Sequence, residues 1–199
     1  FYSQTNWIVD NTIDDNIVFV TSVGDIVNSS TSDSQWIVAD TAYDILDAAN
    51  IAYSVGPGNH DLYGYYSSYF GVSRFESKSY YGGYYDTSNY NNYSLFNASG
   101  MDFVIINLEY APGSAALEWA DGILKTYSNR RGIVVSHYIL NLDNSWGIST
   151  IYESLKDNPN LFLMLSGHVH TSSDGAGYRS DTYEGNTIHS ILADYQEYS

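Results

Sequence analysis

The chain has 199 residues and a hydrophobic content of 44%, enough for one domain with a buried core. Seven Lys and Arg against 23 Asp and Glu give a net charge of −16, which disfavours binding to nucleic-acid backbones and anionic membranes. The absence of cysteine excludes disulfides and thiolate metal sites. No apolar run approaches the roughly 20 residues of a membrane span. We therefore expect a single domain over residues 1–199.

Short apolar runs alternate with amphipathic segments along the chain. This alternation predicts an α/β fold in which central β-sheets are flanked by helices. Helices are predicted over residues 4–15, 114–127 and 148–156, and from Ser32 or Asp33 to about Ala49. Strands are predicted over residues 17–23, 51–55, 102–108, 133–136, 161–166 and 187–193.

A tyrosine-rich segment interrupts this alternation. Residues 62–96 hold ten of the 21 tyrosines, separated by Gly, Ser and Asn and without a sustained period. Such a composition predicts a long loop or short hairpins. The segment directly follows a Gly-Asn-His-Asp motif, so we expect it to overhang that motif as a wall or lid.

Candidate metal ligands follow the predicted strands in a fixed order. Polar residues that follow parallel strands collect at one edge of an α/β sheet, so positions roughly 140 residues apart are expected to meet there. The simpler alternative is that any α/β protein carries polar residues after its strands. That alternative does not explain the residue types found. The candidate ligands are Asp25, Asn59, His137, His168 and His170.

These side chains supply carboxylate, amide and imidazole groups without thiolate. Such a mixture suits Zn²⁺, Mn²⁺, Fe or Co rather than a Ca²⁺ cage. Two such ions about 4 Å apart would hold a bridging water and lower its pKa towards neutrality. The sequence therefore predicts hydrolysis of a phosphate mono- or diester by a metal-bridging hydroxide.

Several residues near these ligands have more than one interpretation. His60 is predicted to protonate the departing alkoxide while Asp61 orients its ring, and the alternative is a structural hydrogen bond in a turn. Asn28 either caps a loop or lines the site. Glu109 and Tyr110 follow a predicted strand and either approach the site or lie on the surface, and the surface role is favoured; a structural role is favoured for His189.

Four motifs occur in order: Gly24-Asp25-x-x-Asn28, Gly58-Asn59-His60-Asp61, the lone His137 and Gly167-His168-Val169-His170. In this order they resemble the motifs of the calcineurin-like metallophosphoesterase superfamily over residues 24–170. The resemblance implies the layered α/β sandwich of that family and a phosphate-ester substrate. It implies that Asp25 bridges two divalent metals, that Asn59, His137 and His168 complete one site, and that His170 belongs to the other. It also implies His60 as the acid. Asn28 stands where purple acid phosphatases carry a metal-binding tyrosine, which argues against their ferric site.

The family pattern begins with an Asp-x-His or Asp-x-Gln motif that does not precede the helix predicted at residues 4–15. Either the chain is a fragment that begins after this motif, or the motif is lost. One metal site is then expected to be nearly complete and the other to be incomplete.

Two functions follow from this departure. One is a metal-dependent phosphoesterase that is active when complete. The other is a catalytically silent extracellular structural or binding module. The acidic, Lys-poor composition suits a secreted or salt-adapted protein, although it is equally explained by solubility.

Overall fold

The computed structural model describes residues 1–195 of the chain. Its helices are α1 (Tyr2–Asn11), α2 (Asp33–Ala48), α3 (Tyr66–Tyr69), α4 (Val72–Phe75), α5 (Ser114–Thr126) and α6 (Ser149–Leu155). Its strands are β1 (Val20–Thr21), β2 (Tyr53–Ser54), β3 (Tyr81–Tyr84), β4 (Asn92–Ala98), β5 (Met101–Leu108), β6 (Arg131–Ser136), β7 (Leu161–Ser166), β8 (Ala176–Tyr183) and β9 (Asn186–Ala193).

Seven of the strands form one mixed sheet in the order β3-β4-β5-β6-β7-β9-β8. Strands β5, β6, β7 and β9 run parallel, while the strands outside them pair in the antiparallel sense. Residues 103–108 of β5 are all buried, as expected for a strand covered on both faces. The parallel strands therefore bring their carboxyl ends to one edge of the sheet.

Strands β1 and β2 form a separate two-stranded parallel sheet. Phe19 and Val23, on either side of β1, pack in an apolar layer with Ile105 and Val135 of the large sheet. The core on the other face of the small sheet contains residues of α2, and α5 and α6 pack on the far face of the large sheet. The predicted α/β sandwich, with central sheets flanked by helices, is confirmed.

The paired strands of the small sheet are shorter than their apolar runs predicted. Only two residues of each strand are paired. Neighbouring residues of each apolar run pack between the layers without belonging to the paired ladder. Helix α1 ends at Asn11, four residues earlier than predicted. Strand β8 was not predicted, because its mostly polar residues alternate between exposed and half-buried positions. Its pairing with β9 through the turn at residues 184–185 makes it a strand.

The tyrosine-rich segment contains two short helices and the β3–β4 hairpin. Tyr66 and Phe70 are fully buried, and both rings pack against Trp36 of α2 at centroid distances of 6.0 and 6.0 Å. Asn89, also buried, donates to the Phe70 carbonyl oxygen at 2.8 Å. Much of the segment therefore belongs to the core beside α2. Its role as a lid stays a prediction.

None of the helices within residues 1–195 combines the length and apolar character that a membrane span requires.

Replacing Phe70 with Ala should lower the free energy of unfolding by about 3–5 kcal/mol, because it leaves a cavity in a fully buried aromatic cluster. Denaturant-induced unfolding measures the change. Tyr63 lies in the same segment but is 90% exposed, so Tyr63→Ala is the matched control and should change stability by no more than about 0.5 kcal/mol. Equal effects of the two substitutions would show that the segment is not part of the core.

Candidate metal centre

Asp25 is presented by a sharp turn in the loop after β1. Gly24 has φ +97° and Asp25 itself has φ +52°, so both residues adopt the left-handed region. A Cβ at Gly24 would lie 2.6 Å from the Gly58 nitrogen and 3.0 Å from His137 Nδ1. Only glycine therefore allows the two loops to approach each other at this point.

The Asp25 carboxylate is held by groups from two loops. Its Oδ1 accepts a hydrogen bond from the His60 backbone N–H at 3.0 Å. Its Oδ2 lies 3.2 Å from His137 Nε2 and 4.0 Å from His60 Nε2. The side chain is 20% exposed, so it can still be reached from solvent.

His137 follows β6 and is almost completely buried. Its Nδ1 donates to the Val23 carbonyl oxygen at 2.8 Å, which leaves Nε2 directed towards Asp25. His168 follows β7 with φ +74°, and its Nδ1 lies 3.1 Å from His137 Nε2. A backbone carbonyl that orients an imidazole in this way is a common feature of metal-binding histidines.

Ligand atoms of Asp25, His137 and His168 all lie within 4.8 Å of one another. When His137 is neutral with its proton on Nδ1, the lone pair of Nε2 faces a carboxylate oxygen and another imidazole nitrogen. Three electron-pair donors at this spacing repel one another unless a proton or a cation lies between them. The donor set therefore fits a divalent metal ion of borderline softness.

The other two predicted ligands lie beside this group of three. Asn59 is exposed and follows Gly58, which packs directly on Asp25. His170 lies outside the group, but it lines a cavity of about 310 Å³ together with Asp25, His60 and His168. Its Nδ1 is buried and has no hydrogen-bond partner within residues 1–195. A buried imidazole nitrogen without a hydrogen-bond partner is expected where the imidazole binds a metal or a ligand.

His60 is oriented differently from the prediction. Its Nδ1 donates to the Asn28 carbonyl oxygen at 2.8 Å. The Asp61 carboxylate is fully buried and instead accepts hydrogen bonds from the backbone N–H groups of Ile26, Val27 and Gly58 at 3.1, 3.0 and 2.8 Å. The prediction that Asp61 orients the His60 ring is therefore wrong, because three backbone donors occupy its oxygens.

The charged state of the centre follows from this geometry. Burial opposes ionisation of Asp25, but the hydrogen bond and charge of His137 bring its pKa below the usual value. Burial opposes protonation of His137, but Asp25 raises its pKa above the usual value. Burial and the charge of His137 lower the pKa of His168. Burial raises the pKa of Asp61 to about 6, although three backbone donors oppose the rise.

Two tyrosines lie near the centre, of which the sequence singles out only Tyr110, as the less favoured alternative to a surface role. The ring centroid of Tyr110 lies 6.0 Å from that of His137 and 5.4 Å from that of His168. Tyr138 lies closer still to His168, at 4.6 Å. The prediction of a surface role for Tyr110 overlooked the pairing of β5 with β6, which brings it beside the ligands that follow β6 and β7. The sequence feature that pointed to the centre was the position of Tyr110 shortly after a predicted buried strand.

The structure also shows the hydrogen bonds of the other residues with alternative roles, which are Glu109, Asn28 and His189. Glu109 accepts a hydrogen bond from Asn91 Nδ2 at 2.9 Å. Asn28 supplies its carbonyl to His60 and also lines the cavity. His189 lies within β9, where its Nδ1 is 2.8 Å from the Tyr178 hydroxyl, in keeping with the structural role predicted for it.

Metal affinity should fall as the pH is lowered, because the metal needs the neutral form of His137. The pKa of His137 is raised, so protons begin to compete with the metal at a higher pH than for an ordinary imidazole. Asp25 stays ionised in this range because its pKa is lowered, and the lowered pKa of His168 makes protons compete less at this ligand than at His137. The expected slope is about tenfold in affinity per pH unit for one displaced proton.

Competition with a chelator of known affinity, measured for Mn²⁺ or Zn²⁺ from about pH 8 to about pH 5.5, gives this slope. The His189→Ala variant should keep it, because His189 lies in the middle of β9. A metal affinity that does not change with pH in the wild type would show that the imidazole of His137 is not a ligand.

Asp61→Asn should lower the free energy of unfolding by about 1–3 kcal/mol, because an amide NH₂ in place of a carboxylate oxygen leaves a buried backbone N–H without an acceptor. Asp10→Asn, at an exposed position of α1, is the control and should be nearly neutral. Thermal or denaturant unfolding measures both. If the two variants are equally stable, Asp61 does not support the turn that presents Asp25.

Comparisons with known proteins place this geometry in a family. The sequence model of the calcineurin-like phosphoesterases matches residues 1–172. An uncharacterized protein of Bacillus subtilis (strain 168), YvnB, is 35% identical over 208 residues, which cover 98% of this chain and 16% of that protein. The chain thus spans a small part of the length of this relative.

Two solved structures share the fold at low identity. One is GAP50, described as the anchor in the inner membrane complex of Plasmodium, with a TM-score of 0.56 and 16% identity over 95% of this chain and 65% of that one. The other is a hypothetical protein from Thermus thermophilus, with a TM-score of 0.57 and 13% identity over 96% of this chain and 69% of that one. The family match, which includes every candidate ligand, shows that the chain belongs to the calcineurin-like phosphoesterase family.

Proposed function

We propose that this domain hydrolyses a phosphate mono- or diester with the help of divalent metal ions. The observation that carries the proposal is the convergence of Asp25, His137 and His168 from three separate loops. Family membership implies divalent metals and a phosphate-ester substrate. The identity of the metals, and a second ion held by Asp25 and His170, belong to the proposal.

The residues fit distinct tasks. Asp25, His137 and His168 would hold a metal, with Asn59 and His170 as further ligands. A metal held there supplies positive charge to the phosphoryl oxygens and lowers the pKa of its water. The residues that line the cavity include no Lys or Arg, so the described side chains offer only histidines as cations to an incoming phosphate.

The surroundings of His60 support a role as the general acid. Its Nε2 lies 4.0 Å from Asp25 Oδ2, and its side chain is 44% exposed towards the cavity. The hydrogen bond from Nδ1 to the Asn28 carbonyl holds the ring so that Nε2 is the free nitrogen. From this position the protonated ring can give its Nε2 proton to the departing oxygen of the ester.

A second candidate function is a metal-binding module without turnover. It is favoured by the position of His170 outside the group of three ligands, so that the second metal site is only outlined. GAP50 is described as an anchor, which is a structural role, although the low identity extends only the fold to this chain.

The Asp25→Ala variant should lose bound metal and turnover together, because it removes the carboxylate on which both histidines converge. His60→Ala should keep the metal and lose about 10²–10⁴-fold in kcat. Metal content by elemental analysis and hydrolysis of p-nitrophenyl phosphate and bis-p-nitrophenyl phosphate measure these effects. His189→Ala is the matched histidine control, and it should retain both metal and turnover. Stoichiometric metal in the wild type with no hydrolysis of either ester would support the second candidate instead.

A further inference from the structure

Two tyrosine rings stand beside the metal centre and have no part in the hydrolysis proposed above. Tyr110 lies in the loop after β5 and Tyr138 in the loop after β6. Their centroids are 5.4 and 4.6 Å from the ring of His168, and the two rings are 6.4 Å from each other with planes only 8° apart. Together they form a continuous aromatic wall along one side of the ligand group.

This wall is not explained as part of the protein core. Tyr53 and Tyr66, which do belong to the core, are fully buried. Tyr110 and Tyr138 are each half-buried and belong to none of the three buried apolar clusters among the described residues. Part of each tyrosine therefore remains accessible beside His168, the ligand that also lines the cavity.

The Tyr138 ring is held rigidly. Its hydroxyl donates to Asn141 Oδ1 at 2.6 Å, and Asn141 in turn donates to the Trp146 carbonyl at 3.2 Å. A Cβ placed on Gly147 would lie 2.2 Å from Cε2 of Tyr138 and above the ring, so one face of this ring packs directly on the glycine backbone. A ring held in this way presents a stacking surface without losing further conformational entropy on binding.

The spacing of the two rings decides how a ligand can use them. A planar group sandwiched between parallel rings needs about 3.5 Å on each side, or about 7 Å in all. The centroids are only 6.4 Å apart, so no planar group fits between them. A ligand ring must therefore stack on the side of the wall that Gly147 does not cover.

We propose that Tyr110 and Tyr138 bind a planar aromatic group carried by the phosphate ester, as in a nucleotide or an aryl ester. The proposal rests on the phosphoesterase function above and names its substrate class. Stacking of a base on an aromatic side chain tolerates any base and is a recurrent mode of recognition. The net charge of −16 favours a small ester with few phosphates over a nucleic-acid strand.

The test compares adenosine 5′-monophosphate with ribose 5-phosphate, whose leaving alcohols are matched and which differ in the base. The metal-loaded protein should show kcat/KM about tenfold or more higher for the nucleotide. Tyr138→Ala and Tyr110→Ala should each reduce this ratio severalfold, and Tyr138→Phe should preserve it because the ring remains. Tyr183→Ala, at the opposite end of the large sheet, is the control that should leave both rate and ratio unchanged.

Binding provides a readout that does not depend on hydrolysis. The methylenephosphonate analogues of the two esters lack the scissile P–O bond, and their affinities are measured by calorimetric titration of the metal-loaded protein. Preferential binding of the nucleotide analogue, lost in the alanine variants, supports the wall. A parallel comparison of phenylphosphonate with methylphosphonate shows whether a directly attached ring is preferred instead of a base.

The outcomes separate the two proposals. Turnover of both esters with equal kcat/KM, or an unchanged ratio in the alanine variants, overturns the aromatic wall and leaves the phosphoesterase intact. No turnover of either ester, together with preferential binding of the aromatic analogue, overturns hydrolysis and keeps the wall as a binding surface. Equal binding of all the analogues overturns the wall in either case.

Discussion

The contact of His137 with the loop after β1 holds the two sheets together at the metal centre. One imidazole nitrogen donates to the Val23 carbonyl at the edge of the small sheet, and the other faces Asp25 two residues later. Because His137 is buried, neither partner is replaced by water. The ring thus joins the end of β6 to the end of β1, and the ligands from both sheets depend on this junction for their spacing.

The same junction explains the electrostatics of the centre. A carboxylate and an imidazole lone pair at 3.2 Å require a positive charge between them. Without a metal, a proton on His137 supplies that charge, and so the pKa of His137 is raised although burial opposes protonation. A divalent cation can take the place of this proton, which is the physical link between metal binding and pH.

The loops around the ligands carry backbone strain that the surrounding structure offsets. Asp25 and His168 both have positive φ, which costs on the order of 1–3 kcal/mol for each residue. Three backbone N–H groups hold the turn through the buried Asp61, and Gly24 packs against the Gly58 loop at a distance that no side chain permits. Asp61 therefore contributes to the centre through the backbone, not through the His60 ring.

The types of ligand and their positions after strands could be predicted from the sequence, because Asp25, His137 and His168 each end an apolar run. The α/β alternation predicted the sandwich for the same reason: burial on both faces leaves an uninterrupted apolar strand such as β5. The local sequence pattern is sufficient for these predictions because each of these features is contained in a few consecutive residues.

Relations between distant segments were decided only by the tertiary structure. The sequence could not show that the Asn28 carbonyl orients His60, or that Tyr110 and Tyr138 stand against His168. Nor could it show that Tyr66 and Phe70 pack on Trp36 inside the core. These contacts depend on sheet order and on how closely two loops approach, and neither quantity is encoded in the spacing of residues along the chain. The sequence by itself determined which groups could bind a metal, whereas the packing of the two sheets determined which of them meet.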